Sequence, residues 1–353
     1  MSASVFDHPW LAALLGDAEI AHHFSAEAEL RAMLEFEVAL AMAEAEFGII
    51  PMEAAQAVAA TALTFRPDLP ALASGSARDG MVVPAWVDQL RRAVGAAHGS
   101  HVHFGATSQD VLDTSLVLRL KPVLEILAGR LADLDAHLAG LAREHGATTL
   151  MGRTRMQRAL PITWADKIAS WRAPLARHHK RLQELKPRLL VVQFGGPVGT
   201  LEKLGEKAPS VAAALANRLD LAVPAGSWHS ARDTLAELAG WLSLLTGSLG
   251  KIGQDVVLMA QNEIAEVTVT GGGHSSAMPH KENPVLAETL VTLARFNASQ
   301  LSAMHHALVH EQERSGAAWT LEWMIVPPMT VATAAALARG LALLDALRIN
   351  PRR

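Results

Sequence analysis

The sequence predicts an all-α fold dominated by long, bundled helices, and three observations carry that prediction. Alanine is the commonest residue, while aromatic side chains make up only 5% of the 353 positions, a composition that favours helix over strand. Apolar residues recur at three- and four-residue steps over long stretches, as in Leu116, Leu120, Val123, Leu127, Leu131, Leu134, Leu138 and Leu141. There is no run of alternating apolar residues bounded by hairpin turns, and no internal repeat of fixed period.

From the N-terminus, short helices are expected over about residues 26–47, 51–63 and 84–97, with Pro51 opening the second. The stretches Arg66–Pro70 and Ala73–Gly80 are rich in breakers and are expected to interrupt the chain between them. Beyond residue 108 the periodic stretches lengthen. One carries the leucines above. A second runs through Leu235, Leu238, Leu242, Leu245, Leu249, Ile252, Val256 and Met259, the seam of antiparallel bundle packing. A third follows Pro284 through Leu286, Leu290, Leu293, Asn297, Leu301, Met304 and Leu308. The change of helix length divides the chain into an N-terminal helical domain, residues 1–104, and a long-helix bundle domain, residues 105–353, that carries the oligomer core. A helix from about 229 to 269 would be ~60 Å long, longer than the ~50 Å diameter of a compact chain of this size. Its protruding face would need a partner, so a homo-oligomer is expected. The alternative is a break at Gly247, Gly250 or Gly253, since each glycine costs ~1 kcal/mol against alanine.

The 31 basic and 35 acidic side chains give a net charge of −4, which argues against a nucleic-acid or anionic-membrane footprint. Cysteine is absent, excluding a disulfide framework, a thiolate zinc site and an iron–sulfur cluster. The opening MSASVFDHPW lacks a signal-peptide pattern, and no 18-residue stretch is free of charged or strongly polar breaks. A soluble, cytoplasmic protein is expected.

The most unusual stretch is Gly271-Gly272-Gly273-His274-Ser275-Ser276-Ala277-Met278-Pro279-His280-Lys281-Glu282-Asn283-Pro284, between two long helices. Three glycines give it freedom, and Pro284 opens the next helix, leaving backbone N–H groups directed back at the loop. Two hydroxyls, a lysine and an asparagine beside a helix N-terminus form an anion-binding, oxyanion-stabilising set. It is not a P-loop, because GxxxxGK[ST] is absent.

This loop resembles the GSSxMPxKxNP signature of the fumarase/aspartase superfamily, with His274 replacing the usual glycine. Gly105-Ala106-Thr107-Ser108-Gln109-Asp110 is similar to the first active-site segment of that superfamily. Gly152-Arg153-Thr154-Arg155-Met156-Gln157, followed by Pro161, is similar to the second. The resemblance implies a homotetramer with each active site assembled from three subunits, and cofactor-independent, metal-free β-elimination or its reverse on small carboxylates. It assigns Ser275 as the base, with Lys281 and Asn283 stabilising an aci-carboxylate. Thr107, Ser108, Thr154 and Gln157 would hold substrate carboxylates, and Gln109, Asp110, Arg153, Arg155, Ser276, Met278 and His280 are the remaining candidates to face the substrate. A free serine is a very poor base, so Lys281 and the helix N-terminus would have to lower its pKa.

Arg155 stands where most members carry histidine, and arginine cannot act as acid or base near neutrality. A carboxylate leaving group needs no general acid, because its conjugate acid has a pKa of about 4. That condition, together with GATSQDVLDT and the stretch Glu311–Trp323, resembles the branch that lactonises 3-carboxy-cis,cis-muconate in protocatechuate degradation. The window 145–165 holds Arg153, Arg155 and Arg158 and no acid, a local positive field suited to a tricarboxylate. An adenylosuccinate lyase-like activity would need the missing acid and a C-terminal third domain, and the chain stops at Arg353 without one. A silent scaffold is disfavoured by the intact loop. His306 and His310, at helical spacing, are expected at the surface or an interface and not on a metal. His103 is a weaker candidate for substrate contact, and Trp319 and Trp323 are expected to pack.

Overall fold

The computed structural model describes residues 4–278 and 281–350. Twelve α-helices carry the fold among these residues: α1 (Ala12–Leu15), α2 (Ala18–His22), α3 (Ala26–Glu46), α4 (Met52–Ala62), α5 (Leu69–Asp79), α6 (Val83–Val94), α7 (Ser108–His145), α8 (Trp164–Leu189), α9 (Ala208–Arg218), α10 (Asp233–Met259), α11 (Val285–His306) and α12 (Ala317–Ala346). The leucine ladder of α7 faces inward from Leu120 to Leu138 and packs with α8, α10, α11 and α12 into one apolar bundle core. Helix α3 starts where Ser25 accepts the Ala28 N–H at 3.2 Å. It packs with α4, α9 and the first turns of α7 around a second core that includes Phe36, Trp86, Val111 and Leu215.

Several expectations are corrected. The stretch 73–80 breaks the chain only at its end: residues 73–79 lie in α5, which Asp68 opens by accepting the Ala71 N–H at 3.1 Å, and Gly80 at φ +74° closes it. Gly75 is there because an added Cβ would sit 2.4 Å from Ala85 Cβ, so it serves close approach to α6. Six short strands among the described residues were not foreseen. They are β1 (Thr149–Thr154), β2 (Gln157–Thr163), β3 (Val267–Val269), β4 (Gly273–His274), β5 (Glu282–Asn283) and β6 (Leu347–Ile349), in the antiparallel pairs β1–β2, β3–β6 and β4–β5. Helix α12, with Glu322 and Arg339 among its charged breaks, is by length and composition apolar enough to cross a membrane, and 67% of its apolar window is buried in the protein as in a core helix.

Helix α10 is shorter than the longest reading, at 27 residues, or about 40 Å. It ends at Met259, before the Gln261–Ala265 turn in which Ala265 has φ +45°, and Val267–Val269 then pairs with Leu347–Ile349. None of its glycines breaks it. Gly253 packs on α11, where a Cβ would lie 2.4 Å from the Ala287 carbonyl oxygen, whereas Gly247 has nothing within 4 Å. Gly253→Ala is therefore expected to destabilise by about 1–3 kcal/mol through overpacking, and Gly247→Ala to stabilise by about 0.5–1 kcal/mol through helix propensity. Thermal melts of the two variants should move in opposite directions.

Candidate active site

The first motif is the N-terminus of α7, reached through Gly105 at φ +69°. Asp110 is fully buried, and its carboxylate accepts the N–H groups of Thr107, Gly195 and Gly196, each at 2.9 Å, and faces His229 Nε2 at 2.8 Å. Gln109, also fully buried, donates to the His229 carbonyl at 2.8 Å. Both side chains point inward and tie the α7 terminus to the 193–196 and 227–229 segments, while Thr107 and Ser108 stay half-buried on the outer side. Beneath them Arg232, fully enclosed, bridges Asp113 at 2.6 Å and Glu322 at 2.8 Å and lies 4.7 Å from the Trp228 ring centre. Trp319 donates to Asp113 at 3.0 Å and packs edge to face on Trp323 at 4.8 Å.

Arg314 is a further candidate, not singled out from the sequence. Its guanidinium donates to Thr107 Oγ1 at 2.6 Å and to Gln109 Oε1 at 3.4 Å. The signal lay in the resemblance of the stretch 311–323, where one arginine stands among acids. The neighbouring His310 departs from the surface expectation. Helix α11 ends at His306, so the helical spacing is lost, and the His310 ring is 1% exposed with Nε2 3.5 Å from Glu322. Among the described residues no three His, Asp or Glu side chains cluster as metal ligands.

The second motif forms the tip of the β1–β2 hairpin. Arg155 (φ +49°) and Met156 (φ +67°) are the two turn residues, both left-handed, the geometry of a tight two-residue hairpin turn that usually calls on Asn or Gly. Thr154, Arg155 and Gln157 are exposed at this tip. So are two apolar side chains, Met156 at 78% and Leu160 at 74%. Arg153 turns back along the strand to Glu266 at 2.7 Å, so its charge is paired within the chain.

The third motif closes through the β4–β5 pair. Ser275 is half-buried and its Oγ accepts the Met278 N–H at 3.1 Å; the Met278 carbonyl then accepts the Lys281 N–H at 3.0 Å. Ser276, Met278 and Lys281 are exposed, Asn283 is half-buried, and His280 lies outside the described residues. Met278, Lys281 and Asn283 line a cleft of about 760 Å³ between the end of α10 and the start of α11. Glu263, Glu282 and Glu288 line it too, so among the described residues of one chain the cleft has three carboxylates against one lysine.

Helix lengths separate these segments. The first motif opens α7 and the second follows its end, 38 residues later, or about 57 Å along the helix. The third lies beyond the far end of α10 from His229. Among the described residues no hydrogen bond or ion pair joins the first motif to either of the others, whereas the second and the strand leading to the third meet through Arg153 and Glu266.

Known proteins share this fold and much of this sequence. A family model described as a lyase matches residues 17–297. A 3-carboxy-cis,cis-muconate cycloisomerase of Pseudomonas aeruginosa is 43% identical over 336 residues, covering 94% of this chain and 73% of that protein. The crystal structure of 3-carboxy-cis,cis-muconate lactonizing enzyme from Pseudomonas putida superposes with a TM-score of 0.91 at 39% identity, covering 97% of this chain and 77% of that one. An N-acetyl-S-(2-succino)cysteine lyase of Dickeya dadantii is 32% identical, covering 99% of this chain and 78% of that protein. With its all-α bundle and its three ordered motifs, the chain belongs to the fumarase/aspartase superfamily of lyases, in the cycloisomerase branch.

Proposed function

We propose that the protein is a cytoplasmic homotetramer that lactonises 3-carboxy-cis,cis-muconate without a cofactor. The observation that carries the choice of reaction is Arg155 at the hairpin tip, where an acid-dependent lyase would place a protonatable group. In this reaction one substrate carboxylate adds to the ring-closing carbon as an internal nucleophile. Electron density collects on the carboxylate two carbons away as an aci-carboxylate, held by Lys281 and Asn283, and Ser275 delivers a proton to the α-carbon. One C–O bond and one C–H bond form, one C=C bond is lost, and the trianion becomes a dianion. The Met278 N–H directed at Ser275 Oγ supports the assignment, since a hydrogen bond donated to the oxygen favours its alkoxide form.

Assembly from several copies is supported by the separation of the motifs and by charge. A cleft with three carboxylates and one lysine is a poor anion site until other segments bring cations to it. Arg155 beside the exposed Met156 and Leu160, and Arg314 on Thr107, are such cations on limbs that reach away from their own cleft.

Loss of the conjugated-diene absorbance of 3-carboxy-cis,cis-muconate tests the reaction. Rapid turnover is expected with excess chelator present, and Arg155→Leu is expected to lower kcat/KM by about tenfold or more, the loss of a charged hydrogen bond. No turnover by the native protein would overturn the assignment, and adenylosuccinate would then be the substrate to try.

A further inference from the structure

Two buried carboxyls on α3 have no part in the chemistry above. Glu37 and Glu44, two helical turns apart on one face, are 1% and 0% exposed and lie under the turn that leads into the first motif. Glu37 grips a single residue twice, accepting the His103 backbone N–H at 3.0 Å and meeting its ring Nδ1 at 2.6 Å. His103 itself has φ +61°, a left-handed conformation that a non-glycine residue keeps only when its surroundings hold it. The ring is 12% exposed, and among the described residues its Nε2 has no hydrogen-bond partner. Two residues later comes Gly105, and then Thr107 with Arg314 upon it.

We propose that Glu37 is a positioning residue: it fixes the His103 backbone and holds the ring with Nδ1 inward, which presents Nε2 to the substrate as a ligand for one carboxylate. The proposal deepens the assignment of a tricarboxylate substrate and rests on it. An acceptor at Nδ1 decides which nitrogen is free to work, the general reason carboxylates are found behind functional histidines. Glu44 fits the same scheme. Its carboxyl lies against Gly105, with Oε1 3.6 Å from where a Cβ would be, and both its oxygens are buried without a partner. Burial and the charge of Glu37 push it up to about 9, so it is uncharged at neutral pH. Of the two carboxyls behind the site, the one at Glu37 is thus already committed to His103.

Solid-state 15N NMR of histidine-labelled protein tests the positioning without substrate, with His103 assigned by difference against His103→Gln. The native ring is expected to carry a proton on Nδ1, and Glu37→Ala to release it to the Nε2-protonated form. Glu37→Gln is the alternative if the alanine variant does not fold, because its NH2 group replaces one of the two oxygens that separately meet the His103 backbone N–H and ring Nδ1. Adding tricarballylate, a non-reacting tricarboxylate, is expected to shift the native Nε2 resonance. In turnover, His103→Gln and the Glu37 variant should each raise KM by about tenfold with kcat changed less than about threefold. The double variant should be no worse than His103→Gln alone, as for two residues acting through one contact. An unchanged tautomer in the Glu37 variant, or an Nε2 resonance unmoved by saturating tricarballylate, overturns the proposal. A shifted resonance in a protein that does not turn over the muconate supports the anion site and overturns only the reaction.

Discussion

Replacing Ser275 by alanine is expected to cut turnover of 3-carboxy-cis,cis-muconate by about 10³-fold, within the range a positioned proton-transfer group supplies. The fold should survive, because Ser275 Oγ makes one local hydrogen bond, to the Met278 N–H, and no contact with the core. Geometry extends the prediction. Arg314→Ala, altered at the first motif, is expected to be nearly inactive as well, yet its defect lies at the other end of the bundle from the loop. Mixed and reassembled, the two inactive variants should regain up to about a quarter of native activity, because one site in four then draws an intact loop and an intact first motif from different chains. No recovery in hybrids shown to contain both chains would place the whole site in one protomer. Full activity of Ser275→Ala alone would leave the reaction standing and remove the proton donor.

Glu44→Gln is expected to stabilise the protein, by an amount that depends on pH. The folded carboxyl releases its proton only at about 9, against 4.5 for the ordinary group. Between those values the folded chain holds a proton that the unfolded chain has lost, so stability falls as pH rises, by up to ~1.4 kcal/mol per unit. At pH 7 the accumulated cost is up to about 3 kcal/mol. Glutamine has nearly the same shape and no charge to lose. Denaturation of both proteins at several pH values should therefore give equal stabilities below about pH 4.5 and a widening gap above it. A gap that does not change with pH, or a less stable glutamine variant, would show that Glu44 is ionised in the folded state.

Much of this arrangement was legible in the residues because local chemistry and global fold agree there. Pro51 ahead of α4 and the leucine ladder of α7 each mark an element by position or period. The loop with Ser275, Lys281 and Asn283 was legible because its residue types are unusual together. Other features were decided by contacts far apart in sequence. Gly75 and Gly253 read as breakers, but each lies where a neighbouring helix approaches too closely for a side chain. The β1–β2 hairpin was hidden because Arg155 and Met156 adopt its turn without glycine or asparagine. Gln109 and Asp110 sit inside a motif that reads as a binding segment, yet their hydrogen bonds run inward to residues 193–196 and 229, which no periodicity links to them. Arg314, Glu37 and His103 come from the 311–315 loop, from α3 and from the turn before α7, so their joint place near the first motif exists only in the folded chain.

Helix α7 acts as a ruler as well as a structural strut. It carries one candidate motif at its start and another just beyond its end, so in the proposed assembly its residue count sets the spacing between stations that would belong to different sites. A single inserted residue would turn everything beyond it by about 100° and advance it by about 1.5 Å. Such a helix could remain well packed after a two-turn insertion, which restores the buried face, and still place Arg155 about 10 Å from where it is needed. Length is thus a quantity that catalysis selects on directly, and deletions or insertions in α7 should abolish activity even where the protein folds and melts normally.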